Sequence, residues 1–325
     1  MKKATVVIPN YNGEKYLKDC LGALKHQDTD DFEVLIIDNA SSDGSVPFIR
    51  EHYPDFKLMV MEENLGFAGG VNAGIEASET PYVILLNNDT EADPHYVKAL
   101  IDAMDKDDRI FSVSPKMVQF YHRELLDDAG DGYTFTGWGF QRGVGQKTSD
   151  PAYDKPCAVF SSCGGAAAYR KQVFDEIGLF DTAHFAYLED IDVGWRASIY
   201  GYKNVYEPSS VVYHVGSGTS GSKYNDFKVK LAARNNIYLV YKNMTPLQKV
   251  INFLPLKTGQ AVKRRFFAKE GFLKAYEEGL QEGKEKKHTM KKVPYRISHM
   301  GNYLKIEGML ISNMFVYIKE YLKRH

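Results

Sequence analysis

Apolar and polar positions follow two textures along the first hundred residues. Thr5–Ile8, Glu33–Ile37, Lys57–Met61 and Tyr82–Leu86 are short, apolar segments, and each runs out into polar turn residues. Between them, apolar side chains recur at three- and four-residue steps: Tyr16, Leu17, Cys20, Leu21 and Leu24, then Val46, Ile49 and Tyr53, then the stretch Gly70–Ala77. Apolar strands alternating with amphipathic helices predict a parallel α/β sheet covered on both faces. A further helix is expected from Pro94, with Asp93 as its cap.

From Ser112 to Ala168 the pattern loosens. Six glycines fall between Gly130 and Gly145 among aromatics, which reads as a long excursion on one face. Pattern returns with Cys157–Tyr169, a helix ending at Gly178, and a polar-headed helix Glu189–Tyr200 closed by Gly201. Asn204–Glu207 and Val211–His214 read as two short strands, and the chain is mainly helical from Lys223. The reading divides the chain into an α/β unit, 1–222, and a helical extension, 223–325.

Composition narrows the class. Hydrophobic residues make up 44% and charged residues 26%, proportions of a globular chain with a sizeable core. The formal net charge of −1 argues against a general nucleic-acid binder, but it conceals an asymmetry. Lys257–His325 holds 16 Lys+Arg against 7 Asp+Glu, net +9, which leaves −10 on the rest. Cys20, Cys157 and Cys163 form neither a disulfide framework nor a thiolate zinc site. No apolar run reaches the length of a membrane span, and Ala4–Ile8 is too short for a signal-peptide core, so a cytoplasmic location is expected.

In an open parallel sheet, ligands bind beyond the carboxyl ends of the strands. Those ends carry Pro9-Asn10-Tyr11-Asn12, then Asp38–Gly44, then Glu62–Gly70, then Asn87-Asn88-Asp89-Thr90. Four consecutive polar or Gly-rich tips on one sheet edge mark a site. The first strand is not followed by a dinucleotide fingerprint, which weighs against a dehydrogenase, and no P-loop motif is present, which removes a P-loop NTPase.

VVIPNYNG, VLIIDNASSDGS, NLGFAGGVNAGI, VILLNNDT and FAYLEDIDVGWR, in that order and spacing, resemble the inverting family 2 glycosyltransferases of GT-A fold. The likeness is nearest to bacterial rhamnosyltransferase-like enzymes of O-antigen, capsule and cell-wall polysaccharide synthesis, and spans Ala4–Gly221. It implies a nucleotide-binding half, 1–110, and an acceptor half, 111–222. It also implies a UDP- or dTDP-sugar donor and a glycan or lipid-linked glycan acceptor.

Residue by residue, the resemblance implies that Asp38 accepts the imide N–H of uracil or thymine, a donor that suits a carboxylate. Pro9, Asn10 and Asn39 would frame the same base. Asn64, Gly69 and Gly70 would let backbone approach the nucleotide and set a helix N-terminus near its phosphates. The family's Asp-x-Asp motif falls on Asn87-Asn88-Asp89, so Asn88 would lie against the nucleotide and Asp89 would hold Mn²⁺ or Mg²⁺. His214, followed by Val215–Thr219, would be the second ligand. Glu189 and Asp190 would face the acceptor, with Asp190 as general base.

Asp192, Trp195 and Arg196 read as structural, and Cys163–Ala166 as a flat floor under the donor sugar. Two rival readings are a catalytically silent nucleotide-sugar-binding or scaffold protein and a sugar-1-phosphate nucleotidyltransferase. In the extension, Lys263–Phe267 and the helical stripe Tyr303, Ile306, Leu310, Met314, Tyr317 and Tyr321 suit peripheral contact with an anionic membrane. The competing account packs these helices on the catalytic unit or on a second copy of the chain.

Overall fold

The computed structural model describes residues 2–216 and 224–324. The expected domain boundary at 222–223 and the Ser217–Thr219 part of the loop after His214 lie outside the described residues. In chain order the elements are β1 (Ala4–Asn10), α1 (Glu14–Leu24), β2 (Phe32–Asp38), α2 (Ser45–His52), β3 (Lys57–Val60), α3 (Gly66–Ala77), β4 (Tyr82–Leu86), β5 (Thr90–Ala92) and α4 (Tyr96–Met104). Next come β6 (Ile110–Gln119), β7 (Leu126–Asp128), β8 (Asp131–Tyr133), β9 (Gly139–Gln141), β10 (Cys157–Ala158), β11 (Ala166–Arg170), α5 (Val173–Ile177), α6 (Glu189–Ile199) and β12 (Lys203–His214). The extension holds α7 (Asp226–Asn243), α8 (Pro246–Ile251), α9 (Phe253–Lys269), α10 (Leu273–Lys286) and α11 (Met300–Arg324).

The central sheet runs β10-β12-β6-β11-β4-β1-β2-β3. β3, β2, β1 and β4 are parallel, β11 runs against both β4 and β6, and β12 is parallel to β6. Alternation along β1 fills two cores: Val6 and Ile8 join Leu17, Leu21 and Leu100 on one face, while Val7 joins Val71, Phe111 and Phe174 on the other. The expected α/β sheet, mainly parallel with helices on both faces, is what forms.

Three expectations change. α4 starts at Tyr96 rather than at Pro94, because Asp93 first closes a turn by accepting the His95 amide at 3.1 Å. The loose stretch from Ser112 opens with a strand, β6, deep in the sheet; its polar residues find partners there, the Ser112 hydroxyl donating to Asn204 Oδ1 at 2.8 Å. The two short strands after Gly201 are one, β12, bulged between Glu207 and Val211.

The extension packs against the α/β unit. Tyr303, Ile306 and Leu310 of α11 and Leu239 of α7 share a core with Trp195, Phe160 and Tyr133. The apolar stripe that sequence offered to a membrane therefore turns inward at its first three positions. Phe267 likewise packs on Tyr224 and Tyr276.

Candidate active site

The tips of β1 and β2 are sewn together by side chains. Asn10 and Asp38 are register neighbours, and Asn10 Nδ2 donates to Asp38 Oδ1 at 2.8 Å. Asp38 Oδ2 accepts the Ser41 amide at 2.9 Å, an Asx turn that bends the chain through Ala40 at φ 62°. Asp38 is fully buried, so both its oxygens organise the loop at the floor of the site. The next tip is tied in the same way. Asn39 donates to Asn64 Oδ1 and to the Gly66 carbonyl, both at 3.0 Å, and accepts the Leu65 amide at 3.0 Å. Gly66, at φ 70°, lies so close to Phe185 that a Cβ would sit 2.5 Å from its ring. α3 therefore begins flush against the loop that carries Phe185. Gly69 and Gly70 are buried in its first turns, and a Cβ on Gly70 would stand 3.5 Å from Asn39 and 3.9 Å from Pro9.

At the β4 tip, Asn88 Nδ2 donates to Asn10 Oδ1 at 2.7 Å, and the antiparallel β5–β12 pair sets His214 opposite Thr90. His214 Nε2 then faces Asp89 Oδ1 at 3.4 Å, while Nδ1 meets Asp127 Oδ2 at 2.7 Å. Burial opposes charging of the ring, but the flanking Asp127 and Asp89 carboxylates outweigh it and push the His214 pKa up to about 10. Structure thus brings together the two residues expected to hold a cation, and adds Asp127. By itself the ring is an imidazolium shared by the two carboxylates. A cation beside Asp89 would take the place of the Nε2 proton while Nδ1–H stays on Asp127, the arrangement found behind metal-ligating histidines. Two donor atoms each about 2.1 Å from one ion lie roughly 3 Å apart, close to the separation seen here. The donor set fits a divalent cation.

Asp190 and Glu189 open α6. Asp190 Oδ1 accepts its neighbour's amide, Ile191, at 2.7 Å, and Oδ2 accepts the Gly164 amide at 3.2 Å. Gly164 makes this possible: a Cβ there would press on Phe67 at 3.1 Å. Burial raises the Asp190 pKa against these amides, and burial beside Asp190 raises that of Glu189 further. The loop into α6 is strained, with Phe185, Tyr187 and Leu188 at φ 63°, 72° and 67°. The extension holds it in place. Asn235 Nδ2 of α7 donates to the carbonyls of His184, Ala186 and Tyr187 at 3.0, 2.9 and 2.8 Å, and Arg234 Nη2 donates to those of Ala183 and His184.

Asp192 points away from Asp190, into a buried ion cluster with Arg196 at 2.9 Å and Lys242 at 2.8 Å. Trp195 is fully buried in the adjoining core. Sequence reasoning missed Asp127, Asp128 and Asp131. Asp128 and Asp131 lie within 4.8 Å of each other and of Cys163 by their ligand atoms. Both oxygens of Asp128 and one of Asp131 are buried with no hydrogen-bond partner among the described residues. The available signal was the run Asp127-Asp128-Ala129-Gly130-Asp131, three carboxylates in five residues, read only as part of a Gly-rich excursion.

A mainly parallel sheet with nucleotide-type strand tips, a histidine–carboxylate pair and an acidic helix start is the plan of a GT-A sugar transferase. The model of the glycosyl transferase family 2 matches residues 5–178, and the chain belongs to that family. It is a glycosyltransferase. It is 26% identical over 241 residues to the N-acetylglucosaminyl-diphospho-decaprenol L-rhamnosyltransferase of Mycobacterium tuberculosis, covering 66% of this chain and 77% of that one. It is 25% identical to the poly-beta-1,6-N-acetyl-D-glucosamine synthase of Staphylococcus epidermidis, over 65% of this chain and 49% of the other. Two solved structures share the fold. GalNAc-T7 with UDP, GalNAc and Mn²⁺ has a TM-score of 0.60 at 18% identity, over 73% of this chain and 48% of that one. The mannosyltransferase PcManGT from Pyrobaculum calidifontis, with GDP-Man and Mn²⁺, has a TM-score of 0.53 at 18% identity, over 99% and 88%.

Proposed function

We propose that this chain is an inverting transferase that moves a sugar from a UDP- or dTDP-sugar to a hydroxyl of a glycan or lipid-linked glycan in bacterial surface polysaccharide synthesis. The observation that carries the reading is His214 held between Asp89 and Asp127, with Asp127 joined through Asp128 and Asp131 to the acidic start of α6. Relatives named for rhamnosyl transfer to a lipid diphosphate and for polysaccharide synthesis support the substrate class.

Asp89 and His214 would hold Mn²⁺ or Mg²⁺, which when bound offsets the charge that grows on the departing diphosphate. The surroundings favour such an ion. Asp127, Asp128, Asp131, Glu189 and Asp190 crowd this wall of the site, their mutual repulsion is relieved by positive charge, and no arginine stands at the start of α3 to neutralise a diphosphate. Asp38, Asn10 and Pro9 form the floor for the base, with Asn39 and Asn64 fixing the turn beside them. Asp190 accepts the proton of the acceptor hydroxyl as that oxygen bonds to the anomeric carbon. The bond from that carbon to the diphosphate oxygen breaks on the opposite face, which inverts the configuration. Both Asp190 oxygens keep a lone pair beyond the amides they already accept, and the raised pKa strengthens the base.

Calorimetry of the protein with UDP, dTDP, GDP and ADP, each with Mn²⁺, tests the donor reading. Binding of UDP or dTDP that disappears on chelation is expected. Binding of GDP or ADP alone would overturn the choice of base.

A further inference from the structure

α11 carries two apolar stripes, and only one is used inside the protein. Tyr303, Ile306, Leu310, Tyr317 and Glu320 face the catalytic unit, where Glu320 accepts the Gly143 amide and the Tyr153 hydroxyl. One position along, Leu304, Gly308, Ile311, Phe315, Ile318 and Leu322 recur at alternating four- and three-residue steps, and all are exposed. Leu304, Phe315 and Leu322 each present about two-thirds of their surface, at 65%, 68% and 69%. Among the described side chains of α11, the exposed charged ones are Lys305, Lys319 and Lys323, all cationic.

The α8–α9 bend adjoins this face. Glu307 accepts Gln248 Nε2 at 3.1 Å and Asn252 Nδ2 at 2.8 Å. On α11, Leu304 and Ile311 flank Glu307, and Ile251 flanks its two partners on the bend. Leu247, Val250, Ile251, Phe253 and Leu254 are all exposed there. From Phe227 to Lys269 the chain holds no Asp or Glu, and the exposed charges of α9 are Lys257, Arg265 and Lys269. α10 shows what an ordinary solvated helix of this extension looks like. Its outer face mixes Lys274, Glu277, Glu278, Gln281, Lys284 and Glu285.

We propose that the outward face of α11, together with the α8–α9 bend, is a docking surface for an anionic lipid bilayer. Among the described residues, the exposed charged neighbours of these large apolar side chains on α9 and α11 are cations, of which Lys323 alone is paired to an acid, Asp150. The half-buried Glu307 is taken up by Gln248 and Asn252. Such a surface matches a membrane interface, where the apolar face enters the acyl boundary and lysines meet lipid phosphates. A second copy of the chain matches less well. It would set these lysines against one another with no exposed acid on α11 to pair them. No described helix is long and apolar enough to cross a membrane, so the contact is peripheral. The inference goes beyond the transfer reaction, since docking requires neither donor nor acceptor.

The test is flotation of the full chain with vesicles of phosphatidylcholine, with and without phosphatidylglycerol, at low and high salt. The chain should float with the anionic vesicles at low salt, and less at high salt or on neutral vesicles. Ile311→Glu with Phe315→Glu should weaken binding about tenfold or more with an unchanged melting temperature, because both side chains lie outside the core. Lys305→Gln with Lys319→Gln should weaken binding to anionic vesicles alone, and Gln281→Glu on α10 should change nothing. A chain that never floats, or glutamate variants that float as well as the parent, would overturn the proposal. So would a dimer that the glutamates dissociate without vesicle binding by the parent. Nucleotide calorimetry on the same proteins reads the donor site separately, so either idea can fail alone.

Discussion

Across the site, the tips of β1 to β3 and the acid-rich wall opposite treat buried polar atoms in contrary ways. On the first side Asn10, Asp38, Asn39, Ser41 and Asn64 satisfy one another, so the loops are set before any ligand arrives. On the second, carboxylates from β7, β8 and α6 crowd together, and Asp128, Asp131 and Glu189 keep oxygens with no partner among the described residues. Burial and mutual repulsion raise the pKa of all three. A satisfied network gives shape, whereas an unsatisfied one stores a preference for positive charge or protons. The contrast separates a hydrogen-bonded floor from a wall of crowded carboxylates.

The largest effect should come from an acid of α6 that points away from that wall and is fully paired, Asp192. Asp192→Ala removes the buried carboxylate shared by Arg196, Lys242 and Asn243, leaving, among the described residues, only Asp181 for Lys242 and only backbone carbonyls for Arg196. It should cost about 3–5 kcal/mol in urea unfolding. The same residue sets an acid limit on stability. Burial would raise its pKa, but the Arg196 and Lys242 charges overcome that and hold it below the usual carboxylate range. Its contribution is therefore complete above the unfolded value near 4 and is lost as pH falls below it. Melting of the parent should drop in that acid range, and Asp192→Asn should flatten the drop.

Next in size, Asp190→Asn should lower turnover by about two or more powers of ten while nucleotide affinity holds. Unchanged turnover would remove Asp190 from the mechanism. On the floor, Asn39→Ala unties two tips at once and should cost about 1–3 kcal/mol, with weaker nucleotide binding and no change in the pH profile of turnover. The smallest effect should reverse sign. Asp128 is an acid whose folded pKa is raised, so it weakens the fold as pH climbs above the unfolded value. Asp128→Asn should raise the melting temperature by a few degrees at neutral pH. A fall would show that the acid-rich wall is satisfied after all.

Sequence made one side of the site far more legible than the other, for physical reasons. β1, β2 and β4 are buried on both faces and so read as continuous apolar runs, with polar tips exposed by contrast. β6 escaped because Ser112 and Ser114 are buried, and its loss hid the β7–β8 acids that follow. Asp89, Asp190 and His214 emerged through motif likeness, whereas the distance between Asp89 and His214 depends on β5 pairing with β12, which no local pattern encodes. α11 was ambiguous in a different way. Both of its stripes have helical spacing, and only packing against Trp195 and Tyr133 decides which one turns inward.

The hold of α7 on the loop before Asp190 has a consequence for recombination between relatives. Asn235 and Arg234 grip five backbone carbonyl contacts of a segment whose conformation they do not share covalently. A chimera joined in the 217–223 stretch would hand Asp190 to a foreign clamp, even though every residue of the α/β unit stayed native. Such hybrids should fold and bind nucleotide yet turn over slowly, unless 183–188 and α7 travel together. The exchangeable module is thus defined by what restrains the loop before Asp190, and its natural seam lies inside the sheet unit rather than at the start of the helices.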